Sequence, residues 1–309
     1  MIDRSNIKGV VVPMVTPLRA DGVTVHEKGV HQLVERLVTD GVHGVFVGGT
    51  TGEVWALDDE QWSRLVRFAK EALRGRAPLY AGVSHHSTAG AVVRAHLAEK
   101  LGADIVVSLA PYYIPPGQAD IVRHFQALAA ATALPIIVYQ YPGIVKASIS
   151  LPTYVELAKI PGVVGVKDSL ADVTEFYHMI QTLRADGQDF RLFLGTDILG
   201  NVAVLMGAQG LVPSLGNVAA RFIVGAYEAA VAGDWQRSAA VNAQASAMKA
   251  IYRVVSGGDG PFDAFLPGLK GALNVLGVEV GPPAAPLRAC TAAEATKLAD
   301  ILRRGGLLS

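Results

Sequence analysis

Thiol chemistry is nearly absent from this chain. Cys290 is its only cysteine, which excludes a disulfide framework, a thiolate metal cluster and a redox pair. A reducing compartment fits, so a cytoplasmic protein is expected. A surplus of either charge is absent too. Lys plus Arg number 27 and Asp plus Glu number 27, for a formal net charge of zero. With no basic tail or lysine-rich block, neither nucleic acid nor an anionic membrane is an expected partner. No apolar run is long enough to cross a bilayer, and residues 1–8 form a short polar start with no signal-type apolar stretch. The Gly-Lys-Ser/Thr ending of a phosphate loop is also missing, which sets nucleotide binding aside.

What is present is apolar material in a regular rhythm. Of 309 residues, 51% are hydrophobic and 17% charged, so extensive burial is expected, part of it between subunits. Near-continuously apolar runs occupy 9–13, 44–48, 79–83, 104–108, 136–139, 163–167, 191–195 and 210–213, as strands covered on both faces do. Helix-like stretches such as 58–73, 87–101, 118–131 and 172–183 lie between them, and Thr24, Asp58, Ser87 and Asp172 read as caps. Eight strands with crossover helices predict an α/β fold, a (β/α)8 TIM barrel, in residues 1–216. From about Asn217 strand signals stop. Residues 217–309 read as the last barrel helix and a C-terminal helical extension of the same structural unit, with breaks at Gly257-Gly258 and Gly281-Pro282-Pro283.

Chemistry in such a barrel sits where strands end. The run 163–167 closes on Lys167, with Asp168-Ser169 directly after it. A lysine ending a β-branched strand is disfavoured unless its charge escapes or is used. Burial in the barrel mouth would lower its pKa and leave part of it neutral near pH 7. A neutral amine is a nucleophile toward a carbonyl, which is Schiff-base chemistry. Other lysines compete poorly. Lys28, Lys70, Lys100, Lys159 and Lys297 belong to helical stretches, Lys8 precedes the first strand on the wrong face, and Lys146, in the loop after Tyr139, has no buried context.

Tyr139 closes the preceding run, where a phenol can relay protons to a carbinolamine; taken alone, packing is the commoner role there. Tyr112-Tyr113 raise the same question, or pack at an interface. The loop Gly48-Gly49-Thr50-Thr51-Gly52-Glu53 frees backbone N–H groups and offers two hydroxyls to a carboxylate, so Gly49, Thr50 and Thr51 are candidate substrate contacts. His85-His86 suggest a metal, yet a catalytic zinc needs three converging ligands. A hydrogen bond from His85 to substrate is the expected functional role, a solvated or capping loop histidine is the commoner one, and no metal is expected. Asp197 either holds substrate hydroxyls or caps a helix starting at Ile198. Gly195 and Ser214 complete the set at the last two strand ends.

Gly9, Pro13, Thr16-Pro17, Gly49-Thr50-Thr51-Gly52-Glu53, Pro111-Tyr112-Tyr113, Tyr139-Gln140-Tyr141-Pro142 and Gly165-Val166-Lys167-Asp168 together resemble the dihydrodipicolinate synthase / N-acetylneuraminate lyase family of class I pyruvate-dependent aldolases. The resemblance runs from Gly9 to the tail. It implies a TIM barrel in which pyruvate, or another 2-keto acid, forms a Schiff base on Lys167, with Thr50 and Thr51 on its carboxylate. Tyr139 would be the acid/base, linked through Thr50 to a Tyr113 that reaches in from a neighbouring subunit. A homotetramer built as a dimer of dimers is implied, and a chemistry that needs no cofactor and no metal. The implied partners are pyruvate and a small aldehyde.

Synthases of this family, which condense pyruvate with aspartate semialdehyde, carry an arginine shortly after the tyrosine-proline segment. Here that position is Ile144, and an apolar side chain cannot clamp a carboxylate. The Tyr-x-Tyr-Pro and Gly-Val-Lys-Asp-Ser forms look more like those of 2-keto-3-deoxy-sugar-acid aldolases. Cleavage or formation of such an acid is therefore the expected reaction. The alternatives are a dihydrodipicolinate (4-hydroxy-tetrahydrodipicolinate) synthase, a keto-deoxy-sugar-acid dehydratase and a hydratase-aldolase for aromatic substrates. A catalytically silent keto-acid-binding protein and a metal-dependent aldolase represent other classes.

Overall fold

Consecutive branched apolar residues cannot hide on one face of a sheet, so the short runs of this chain need cover on both sides. The computed structural model, which describes residues 2–170, 172–187, 189–256, 260 and 262–308, supplies it with a barrel. Strands β1 (Gly9–Pro13), β2 (Gly44–Val47), β3 (Leu79–Gly82), β4 (Ile105–Leu109), β5 (Ile136–Gln140), β6 (Val163–Asp168), β7 (Arg191–Leu194) and β8 (Gly210–Leu211) close in sequence order, and each neighbouring pair is parallel. This is the expected (β/α)8 barrel. Val11, Phe46, Tyr80, Val107, Ile137 and Phe193 fill its interior beneath Lys167. Each large apolar side chain so buried contributes about 1.5–3 kcal/mol.

The outer layer is α1 (Glu27–Thr39), α2 (Asp59–Leu73), α3 (Thr88–Lys100), α4 (Gln118–Ala131), α5 (Pro142–Val145), α6 (Leu151–Ala158), α7 (Val173–Ala185), α8 (Gly200–Met206) and α9 (Gly216–Val231). In α1 the buried residues Val30, Leu33, Val34 and Leu37 make one stripe at the spacing of a helix face. Asp58, Ser87 and Asp172 cap helices as expected. Thr24 does not. Asp21 captures it instead, accepting from its hydroxyl at 2.6 Å and its N–H at 2.9 Å, and α1 opens two residues later with His26 at the cap position. A short carboxylate bonding its own neighbourhood competes with helix initiation in this way.

Two details aim the strand ends. Ile136 pairs with Val163 but Ile137 pairs with Gly165, so Val164 is an inserted, bulged residue. A Cβ at Gly165 would lie 2.3 Å from the Arg191 carbonyl oxygen, so only glycine admits that close approach. Beyond the bulge Tyr139 stands level with Lys167. At the other seam, buried Asn217 donates to the carbonyls of Pro13 and Ser214 and accepts from the Val15 N–H, tying β1 to the turn after β8.

After α9 come α10 (Trp235–Ala247), a 3-10 segment Met248–Arg253, α11 (Phe265–Val275) and α12 (Ala292–Arg304). The break expected at Gly257-Gly258 lies outside the described residues, while Gly281-Pro282-Pro283 falls in irregular chain between α11 and α12. Residues 266–273 of α11 are buried all round, which makes it a core element. Among the described residues no helix is long and apolar enough to cross a membrane.

Candidate active site

Lys167 projects into the barrel mouth from β6 and is 5% exposed. Its Nζ lies 3.8 Å from the ring centre of Tyr139 and 5.3 Å from that of Phe46. Burial alone drives its pKa from 10.5 down to about 7, because desolvation penalises the charged form. The two aromatic faces work the other way, since they favour a cation on that nitrogen. The amine is thus partly neutral near pH 7, and a positive nitrogen formed there later would still be stabilised.

The phenol of Tyr139 is next to it. Its oxygen is 3.4 Å from Thr50 Oγ1. Burial raises its pKa, and hydrogen bonds with Thr50 and Ser169 oppose that rise. Thr51 Oγ1 and Ser214 Oγ are 2.9 Å apart. Lys167, Tyr139, Thr50, Thr51 and Ser214 all line one cavity of about 220 Å³. Gly195, Thr196, Asp197, Tyr141, Phe262 and Phe265 line it as well.

The loop that carries the two threonines is pinned from below. Thr16 Oγ1 donates to the Gly52 carbonyl at 2.5 Å. Glu53 sits at φ 54°, left-handed for a non-glycine residue. Its carboxylate accepts from Lys270 Nζ and from the Ala284 N–H, both at 2.6 Å. Lys270 was not singled out from the sequence. The available signal was a lone charge in the apolar segment that becomes α11. Breaking a buried pair of this kind by removing one partner costs about 3–5 kcal/mol.

Two sequence-based assignments change, those of His85 and Gly49. His85 is not in the cavity wall: its Nδ1 bonds Ser87 Oγ at 3.0 Å and Ser87 N–H at 3.1 Å, and its ring lies on His86. The start of α3 therefore captures the imidazole, and among the described residues no third metal ligand joins the pair. Gly49 is not in the wall either. A Cβ there would lie 2.8 Å from the Phe46 ring, so its small size serves core packing. Asp197 lines the cavity as expected, and its oxygens also accept from the Leu215 N–H at 2.9 Å and the Tyr252 hydroxyl at 3.1 Å. It does not cap the turn at Ile198, because Thr196 Oγ1 takes the N–H groups of Ile198 and Leu199. Tyr113 is 93% exposed at φ 81° and lies outside the cavity of its own chain. Ser169, Phe262 and Phe265 were not assigned to the site; the two phenylalanines arrive from the C-terminal extension, far along the chain.

A dry amine beside a phenol, at the mouth of a parallel barrel, is equipment for covalent chemistry on a carbonyl group. Residues 6–304 match the model of the Dihydrodipicolinate synthetase family, and the chain belongs to that family. It is 31% identical over 303 residues to the 4-hydroxy-tetrahydrodipicolinate synthase of Dechloromonas aromatica, covering 98% of this chain and 100% of the relative. The dihydrodipicolinate synthase structure from Bacteroides thetaiotaomicron superposes with a TM-score of 0.90 at 32% identity, over 96% of this chain and 98% of that one. The chloride-inhibited dihydrodipicolinate synthase from Acinetobacter baumannii, complexed with pyruvate, superposes with a TM-score of 0.87 at 28% identity over 98% and 100%. The chain is thus a lyase of the class I pyruvate-dependent aldolase family.

Proposed function

We propose that this lyase works through a Schiff base between Lys167 and pyruvate, and that its second substrate is an uncharged hydroxyaldehyde, so that it cleaves or forms a 2-keto-3-deoxy sugar acid. The observation that carries the Schiff base is the buried Lys167 amine, with a pKa near 7, lying against Tyr139. The observation that supports the aldehyde class is the absence of a second cation: among the described residues lining the cavity, Lys167 is the only one. The lining instead offers Thr196 and the carboxylate of Asp197, and Ile144, within α5, brings no guanidinium toward a substrate carboxylate.

In the cycle, the neutral Nζ adds to C2 of the keto acid, whose carboxylate meets the hydroxyls of Thr50, Thr51 and Ser214. Tyr139 protonates the carbinolamine hydroxyl, and water leaves to give the iminium. In the cleavage direction Tyr139, or a bound water, takes the C4 hydroxyl proton. The C3–C4 electron pair moves toward the nitrogen, the aldehyde leaves, and an enamine remains. Protonation at C3 and addition of water then release pyruvate and the free amine. Tyr113, exposed in its own chain, would extend the Thr50–Tyr139 proton path of a neighbouring copy in a homotetramer.

A second reading is supported by the names of the relatives: 4-hydroxy-tetrahydrodipicolinate synthase activity, with aspartate semialdehyde as acceptor. Incubation of the enzyme and pyruvate with glyceraldehyde or with aspartate semialdehyde, read by product mass, separates the two. Product from glyceraldehyde alone is expected; turnover of aspartate semialdehyde alone would replace the sugar-acid reading with the synthase.

The amine makes a pH prediction. The rate of pyruvate adduct formation should rise about tenfold per pH unit below 7, as neutral amine accumulates, and level off above it. Borohydride quenching at timed intervals measures this. A rise that continues toward pH 10 would mean that the reacting amine is solvated.

A further inference from the structure

We infer that Glu53 and Lys270 are positioning residues, whose ion pair holds the Thr50-Thr51 turn in register with Tyr139 and so couples α11 to the barrel mouth. The inference rests on the Schiff-base reading of the site. Both side chains are closed to solvent, at 0% and 1% exposure, and the bonds they make beyond each other reach the C-terminal extension. Glu53 Oε2 takes Lys270 Nζ at 2.6 Å and Oε1 takes the Ala284 N–H at 2.6 Å. Lys270 gives a second bond to the Pro282 carbonyl at 2.7 Å. The carboxylate is therefore gripped by α11 and by the irregular segment at 282–284, and that same segment holds the ammonium.

The gripped residue is part of the reactive loop. Only Gly52 separates Glu53 from Thr51. The Glu53 N–H donates to the Thr50 carbonyl at 3.1 Å, closing the turn. A left-handed backbone at a non-glycine residue persists only where its surroundings over-determine it, and here the side chain is the anchor. At the other end of the turn are the 3.4 Å contact from Thr50 to Tyr139 and the 2.9 Å contact from Thr51 to Ser214. A buried ion pair is a poor way to gain stability compared with apolar packing, but it is directional, and direction is what a hydroxyl pair facing a small keto acid requires. The same helix carries Phe265 into the cavity wall, so one rigid element sets both the wall and the turn.

The test uses three variants of the full chain: Glu53→Gln, Glu53→Asp and the double variant Glu53→Gln/Lys270→Met, which leaves no charge unpaired. Arg288→Met is the control, because it removes the Arg288–Glu294 pair at the start of α12, neither residue of which lines the cavity. Folded variants at the turn should still form the borohydride-trapped pyruvate adduct, with kcat reduced about tenfold to a hundredfold and KM for pyruvate raised. The control should lower Tm and leave kcat and KM unchanged. Wild-type kcat and KM in any folded Glu53 or double variant would overturn the inference, as would a control that loses activity in step with its Tm. Absence of a trapped adduct in the wild-type protein would instead overturn the Schiff-base reading itself, so the two failures are distinguishable.

Discussion

Lys167→Ala is expected to lose pyruvate-dependent turnover entirely, together with the mass gained when borohydride is added in the presence of pyruvate. No other residue lining the cavity among those described carries an amine. Lys146, the competing amine in the loop after Tyr139, is exposed at the end of α5. Without a nitrogen at C2 there is no electron sink for the C3–C4 bond, and the covalent route closes rather than slows. The change should also relieve a buried ionisable group, so the variant should fold. Intact-protein mass after reduction and a pyruvate-release assay check both parts. Residual trapping in Lys167→Ala would show that a different amine reacts.

Tyr139→Phe should separate adduct formation from turnover. Phenylalanine retains the ring that lies 3.8 Å from Nζ, and with it the packing and the aromatic face that favours a positive nitrogen. Only the hydroxyl is lost, and with it the contacts to Thr50 and Ser169. Losing a proton-transfer group commonly costs on the order of 10²–10⁴ in rate. The expected result is kcat reduced within that range while borohydride still traps pyruvate. Unchanged kcat would remove Tyr139 from the proton path.

The barrel was legible because its strands are short, apolar and evenly spaced, and because a buried parallel sheet leaves little room for another pattern. Lys167 and Tyr139 were legible for the converse reason: each interrupts that pattern with a polar tip at a strand end. Their alignment depended on something less visible, the bulge at Val164 that brings the two into register. Glu53 and Lys270 lie 217 positions apart, and no local periodicity links residues so distant. Phe262 and Phe265 were hidden for the same reason. His85 was correctly placed just past the end of β3, but a hydroxyl two residues away claims its ring. Thr24 was lost to a neighbouring carboxylate in the same manner. Local side-chain hydrogen bonds of this sort decide orientation, and spacing alone does not encode them.

Peptide mapping of the wild-type protein, after borohydride reduction with pyruvate, tests the identity of the reacting amine most directly. One reduced adduct, on the peptide that contains Lys167, is the predicted result. An adduct on Lys146 or on any peptide lacking Lys167, or no adduct at all, would contradict the account.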